Sequence, residues 1–139
     1  MNWDEINIVE DDIREYKTLN DITYGIIGCA FKVPRTLGPG LLESSYEACL
    51  FYELTKAGFT VERQRVLPLI YDEVQLDAGY RLDLVVNNSV IIEIKSMEEL
   101  APIHKAQVLT YLKLSKMKLG LLINFNTIDL KQGIQRLIM

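Results

Sequence analysis

Asp83 and the run Glu93-Ile94-Lys95 are the residues of this chain best suited to chemistry. Each acid interrupts an apolar stretch, Leu82-Asp83-Leu84-Val85-Val86 and Val90-Ile91-Ile92-Glu93-Ile94. Stretches so rich in β-branched residues read as strands with little exposed surface. Charged side chains are seldom buried unless they are paired or bind a metal. Two acids and a lysine on neighbouring buried strands therefore predict a site. Carboxylate oxygens are hard donors, which select Mg2+ or Mn2+ over zinc or copper. An ion held by Asp83 and Glu93 would acidify a bound water and hold a phosphate oxygen. Lys95 would orient that water or neutralise charge developing on phosphorus. The chemistry predicted is phosphodiester hydrolysis.

Whether the acids meet depends on strand register. Residues two apart in a strand share a face. Glu93 therefore goes with Lys95, and Asp83 with Arg81 and Val85. Asn87-Asn88-Ser89 separates the two strands. A three-residue loop pairs Val86 with Val90 and sets Asp83 opposite Glu93. A two-residue loop would send the acids to opposite faces. Asn accepts the left-handed backbone that such loops need, so the three-residue register is predicted. Arg81 would then stand opposite Lys95, closing a square of four charges. Like charges directly opposite each other repel. The square can thus be a neutralised ion-pair cluster at a sheet edge, or a metal site.

The rest of the chain must position these residues. Thr18 or Asn20 can cap a helix over about 21–33, which Pro34 would end. Gly38-Pro39-Gly40 is a tight connection to a second helix over about 41–57, stopped by Gly58. Strand-like segments follow at about 60–66, 68–72, 79–86 and 90–96, with a turn at Asp72-Glu73. A third helix spans about 101–116, with Pro102 near its start and Ala106, Leu109 and Leu112 as its core stripe. Leu119 to Phe125 is an apolar strand, and about 129–138 reads as another. The order predicts an α/β fold, a central mixed β-sheet flanked by helices.

At 139 residues the chain is long enough for one domain with a real core. No apolar stretch reaches transmembrane length and the N-terminus is acidic rather than a secretion signal, so a cytoplasmic protein with no membrane partner is expected. Cys29 and Cys49 have no metal-ligand spacing and read as buried free thiols. The net charge of −4 resides wholly in residues 1–17, which hold six acids against Arg14 and Lys17. These residues form an acidic N-terminal segment, distinct from the domain at 18–139. The acids could cover a cleft as a phosphate mimic, or Trp3, Ile6, Ile8 and Ile13 could dock on a partner subunit. The domain itself is neutral, so any nucleic-acid affinity must come from a local basic groove.

Asp83 followed by Glu93-Ile94-Lys95 resembles the PD-(D/E)XK nuclease signature. Gly40-Leu41-Leu42-Glu43-Ser44-Ser45-Tyr46 is similar to the pattern that names the GxxExxY protein family. Gln107-Val108-Leu109-Thr110-Tyr111 resembles the QxxxY motif of RecB-like nucleases, on the helix after the Glu-x-Lys strand. Gly79-Tyr80-Arg81-Leu82-Asp83, Pro102-Ile103-His104-Lys105-Ala106-Gln107 and Gly120-Leu121-Leu122-Ile123-Asn124-Phe125-Asn126 extend the likeness over about 18–138. The resemblance implies a restriction-endonuclease-like core, with a β-meander carrying the acids and further strands beside it. It adds the Ile94 carbonyl as a metal ligand and an acid, Glu43, reaching the metal site from the second helix. One departure is Pro34, where many relatives are expected to carry a histidine shortly before the glycine connection.

Each remaining candidate has two readings. Glu43 also suits the first turn of a helix by the dipole. Tyr46, one turn on, either braces Glu43 or is a core tyrosine. Gln107, Tyr111 and His104 make one helical stripe, which is either solvated or lines the catalytic cleft. There Gln107 would orient Lys95, a water or the phosphate, and His104 is read as a surface residue rather than a general base. Gln64, Arg63 and Arg65 read either as an amphipathic edge strand or as a strand on which Gln64 approaches the cleft while Arg63 and Arg65, on the other face, meet phosphates with Lys105, Lys113, Lys116 and Lys118. The function expected is a metal-dependent nuclease acting on DNA, RNA being second. The other class is a nucleic-acid-binding or protein-interaction module that keeps the fold with weak or no hydrolysis, and a homodimer is left open.

Overall fold

The computed structural model describes the backbone of residues 3–77 and 79–139, and side chains from residue 14 onward except residues 16 and 78. α1 (Trp3–Leu37) is longer at both ends than the helix expected over 21–33. Its stripe of Leu19, Ile26, Cys29, Ala30 and Val33 is buried, and this packing stabilises the helix beyond its intrinsic propensity. Thr18 is not a cap; its Oγ1 bonds the Arg14 carbonyl at 3.0 Å within the helix. Pro34 does not end α1 either, and its carbonyl still accepts the Gly38 N–H at 2.9 Å. The readings of Trp3, Ile6, Ile8 and Ile13 concern side chains outside the described residues.

Gly38 and Gly40 both have positive φ (74° and 93°), the conformation that lets the chain reverse in so few residues. α2 (Glu43–Lys56) then lies beside α1 and buries Tyr46, Glu47, Leu50 and Leu54. β1 (Val61–Val66) leads to a separate two-stranded ribbon, β2 (Leu69–Tyr71) and β3 (Val74–Leu76), which turns at Asp72 with φ 59°. β2 falls within the strand expected over 68–72, whereas β3 lies beyond the Asp72-Glu73 turn where no strand is expected. β4 (Arg81–Val86), β5 (Val90–Lys95), α3 (Pro102–Ser115), β6 (Leu119–Asn124), α4 (Leu130–Gly133) and β7 (Ile134–Ile138) complete the chain. The strand expected over 129–138 is thus half helical turn and half strand.

The main sheet has five strands in the order β1-β4-β5-β6-β7. It is mixed, because β5 and β6 run parallel with α3 as the crossover between them, while the other pairs are antiparallel. α1 and α2 cover one face, against Leu84, Val86, Ile92, Leu121 and Ile123. α3 covers the other, through Val108, Tyr111 and Leu112 against Val85, Ile91 and Leu122. A Cβ on Gly120 would come within 2.9 Å of Val108 Cγ1, so a side chain there would push α3 off the sheet. The α3 core stripe therefore contains Val108 and Leu112, whereas Ala106, expected in it, is exposed. Cys29 is buried and Cys49 half-buried, and both are free thiols. No helix among the described residues is long and apolar enough to cross a membrane.

Candidate active site

The β4–β5 hairpin has the predicted register. Val86 pairs with Val90, Val85 with Ile91 and Leu84 with Ile92. Asn87 and Asn88 both take left-handed conformations (φ 51° and 50°), and the Ser89 N–H closes the turn on the Val86 carbonyl at 3.0 Å. Continuing the ladder by one rung brings Asp83 level with Glu93. There the backbone pairing stops and side chains replace it. Glu93 Oε1 accepts the Asp83 N–H at 3.1 Å, and Asp83 Oδ2 accepts the Ile94 N–H at 2.9 Å.

The same rung is irregular on its other side. β1 pairs with β4 at Arg63–Leu84 and Arg65–Leu82 but skips Gln64–Asp83. Gln64 has φ 50°, a conformation that costs a non-glycine residue about 1–2 kcal/mol. Both strands change face at this point. Leu82 packs with the α3 cluster while Leu84 packs with the α1–α2 cluster, although they are two residues apart. Arg63 turns to α2, where Nη2 pairs with Glu47 Oε2 at 3.1 Å and the guanidinium lies over the Phe51 ring. Arg65 turns the other way, beside Leu114 and Met117, and bonds Asn88 Oδ1 at 2.6 Å. The expectation that Arg63 and Arg65 share a face opposite Gln64 is overturned, because the left-handed residue between them resets the alternation.

Gln64 is the bridge this distortion creates. Its Nε2 donates to Glu47 Oε1 at 2.5 Å and to Asp83 Oδ1 at 3.2 Å. Glu47 is only 7% exposed and was not picked out in the sequence, where Tyr46-Glu47-Ala48-Cys49 reads as helix interior. The signal available was an acid four residues after Glu43, hence on the same stripe of α2. Glu43 itself is exposed at the first position of the helix, and its Oε1 lies 3.4 Å from the Ser96 N–H, just past Lys95. Tyr46 does not brace Glu43. Its hydroxyl donates to the Gly38 carbonyl at 2.7 Å and accepts the Leu41 N–H at 3.1 Å, and its ring stacks on Phe125. Tyr46 thus fixes the glycine connection that delivers α2.

Asn124 fixes the exit of β5. It pairs with Lys95 in the parallel ladder, and its side chain accepts the Met97 N–H at 3.1 Å and donates to the Met97 carbonyl at 2.9 Å. Lys95 is half-buried and lines a groove of about 520 Å3 together with His104, Gln107 and Tyr111. The stripe of α3 formed by His104, Gln107 and Tyr111 faces this groove. His104 Nδ1 accepts the Ala101 N–H at 2.9 Å, which places the proton of the neutral ring on Nε2. Arg81 pairs with Val66 on β1, and among the described residues it forms no salt bridge, so the expected square of charges is not built. Lys105 is exposed on α3. Lys116 and Lys118 lie by Asn88 and Ser89, at the turn end of the hairpin, about 17 Å of strand from Lys95. Lys118 also pairs with Glu15 at 2.7 Å.

The electrostatics single out Glu93. It is 5% exposed, and burial followed by the charge of Asp83 raises its pKa from 4.5 to about 8. The Asp83 N–H and the Lys95 charge act in the opposite direction but do not offset this. Burial, then the charge of Glu93, Tyr80 and Asp83, likewise raises the Tyr111 hydroxyl, whose place is beside the same acids. Among the described residues no group of three His, Cys, Asp or Glu is arranged to hold a metal ion. The donor set on offer is two carboxylates and adjoining backbone.

A mixed sheet that brings an aspartate level with the glutamate of a Glu-x-Lys strand defines a class of protein. The family model of the PD-(D/E)XK nuclease superfamily matches residues 20–137, and the chain belongs to that superfamily. No curated protein and no solved structure matches it.

Proposed function

We propose that the chain is a metal-dependent nuclease of the GxxExxY, RecB-like type, with residues 18–139 as its nuclease domain. It hydrolyses phosphodiester bonds of DNA in preference to RNA. The observation that carries this reading is the buried Glu93 carboxylate, which faces Asp83 with Lys95 on the same face of the sheet. A site that resists the charge on its own acid is one in which a divalent cation relieves repulsion. Asp83, Glu93 and the Ile94 carbonyl would hold Mg2+ or Mn2+, and Glu43, whose carboxylate reaches the Ser96 N–H just past Lys95, is the further candidate ligand from α2. Bound there, the ion supplies Lewis acidity to a phosphate oxygen and to water.

The chain's own residues do the rest. Lys95 places a positive charge beside the scissile phosphate and orients the attacking water. Gln107 and Tyr111, from α3, present polar groups from across the groove. Glu47 and Gln64 hold Asp83 in place from the α2 side, a positioning role. In-line attack breaks one P–O ester bond, leaving a phosphate monoester and a hydroxyl. A cytoplasmic location belongs to the same reading.

Purified protein incubated with plasmid, linear and single-stranded DNA and Mg2+ or Mn2+ tests this. Cleavage should require the metal and disappear in Lys95→Ala. Equal cleavage by the variant would place the activity elsewhere. A second reading is a binding module with little hydrolysis. What favours it is that both carboxylates already accept backbone N–H groups.

A further inference from the structure

The groove beside Lys95 is more than the back of the candidate active site. Its volume, about 520 Å3, lies within the range of pockets that enclose small molecules, roughly 300–1,000 Å3. Its walls are mainly apolar and aromatic. Tyr80, just before β4, is 42% exposed and leans on the buried Tyr111, their rings 6.2 Å apart and tilted by 59°. Ile103, from the first turn of α3, is 69% exposed and faces the same space. His104 and Gln107 supply the polar groups. Lys95 belongs both to the acid cluster and to this wall, so whatever fills the groove is continuous with whatever is held at the acids.

Phosphate chemistry alone needs no such chamber. A phosphodiester backbone wants cations and amides, not an exposed tyrosine face beside an isoleucine. A flat aromatic ring with a hydrogen-bonding edge fits these walls: it stacks on Tyr80, packs on Ile103 and meets His104 and Gln107 at its rim. In a duplex that ring is stacked and paired and cannot enter. We propose that the groove receives an unpaired nucleobase adjoining the scissile phosphate, which makes single-stranded nucleic acid, or a single-stranded segment of a larger one, the substrate class. This rests on the nuclease reading for the position of the phosphate.

The test measures binding of fluorescent single-stranded oligonucleotides to the full chain in EDTA, which prevents cleavage. Three ligands are compared: an ordinary strand, the same strand with abasic sugars throughout, and a blunt duplex. The ordinary strand should bind about tenfold more tightly than the abasic strand, the size of one lost base–aromatic stack. Tyr80→Ala should erase that difference by weakening only the ordinary strand, and Ile103→Ala should narrow it in the same way. Tyr52→Ala, at an exposed α2 position outside the groove, should leave it intact. Equal affinity for ordinary and abasic strands, or an equal loss for strand and duplex in Tyr80→Ala, would overturn the proposal. Adding Mn2+ separates the two readings. An abasic penalty without cleavage leaves the groove standing and removes the nuclease. Cleavage of duplex and single strand alike, with no abasic penalty, leaves the nuclease and removes the groove.

Discussion

Asp83 and Glu93 each satisfy the other's strand: the Glu93 carboxylate accepts the Asp83 N–H at 3.1 Å, and the Asp83 carboxylate accepts the Ile94 N–H at 2.9 Å. Two acids thereby take the place of a rung of backbone pairing. They are held level at the open end of a hairpin whose other rungs are apolar. The cost of that placement falls on Glu93, and it sets the pH behaviour of the protein.

With divalent metal removed, stability should fall as pH rises between about 4.5 and about 8. In the unfolded chain Glu93 releases its proton near 4.5, while in the folded chain it keeps it to about 8. The folded state therefore binds the extra proton across that window, and its stabilising effect is present below 4.5 and lost by about 8. The total is on the order of several kcal/mol. Urea denaturation at a series of pH values should show this slope in the wild type and a flatter one in Glu93→Gln. A wild-type curve that rises through the window would contradict the assignment.

Gln64 should behave as a strained positioning residue. Gln64→Gly removes the cost of the left-handed backbone, whereas Gln64→Ala keeps it, so the glycine variant should be the more stable by about 1 kcal/mol. Both lose the bridge from Glu47 to Asp83, and both should lose nuclease activity to a similar extent. If alanine is as stable as glycine, the backbone at 64 is not strained. If glycine retains full activity, the bridge is irrelevant to the site.

Glu47→Gln should reduce activity more than Glu43→Gln. Glu47 is buried and touches Arg63 and Gln64 at once, while Glu43 is exposed and has a single long contact to Ser96. Because the amide keeps one acceptor, Glu47→Gln should remain folded, and circular dichroism would check that. The reverse order of effects would make Glu43 the weightier of the two.

Tyr46→Phe should be a stability variant. It removes two hydrogen bonds that hold Gly38 and Leu41 and should cost about 1–3 kcal/mol, since Leu41 N–H and the Gly38 carbonyl lose a partner. The ring still stacks on Phe125. Activity measured well below the unfolding midpoint should be close to wild type, and a large loss there would assign the hydroxyl to the chemistry.

The hairpin was legible because two local signals agreed: apolar runs on both strands and an Asn-Asn turn suited to left-handed backbone. Helical spacing made His104, Gln107 and Tyr111 one stripe, but only the resemblance to the QxxxY helix turned that stripe towards the cleft. The face change at Gln64 and Asp83 was not. Alternation reveals itself only where one face is polar, and Leu82, Leu84, Val85 and Val86 are all buried. Nothing local marks Gln64 as left-handed, since glutamine has no preference for that region, and with it went the orientation of Arg63 and Arg65. Glu47 was hidden among helix-forming neighbours. α1 exceeds the expected helix at both ends, because Thr18 lies inside it rather than capping it and because packing of Ala30 and Val33 carries it through Pro34.

Isothermal calorimetry of Mn2+ binding at pH 7 is the decisive measurement for the two acids. Asp83 and Glu93 should together bind the ion, with release of a proton from Glu93 detectable as a dependence of the heat on buffer ionisation. Binding should vanish in Asp83→Asn and in Glu93→Gln. No binding by the wild type, or equal binding by the variants, would contradict it.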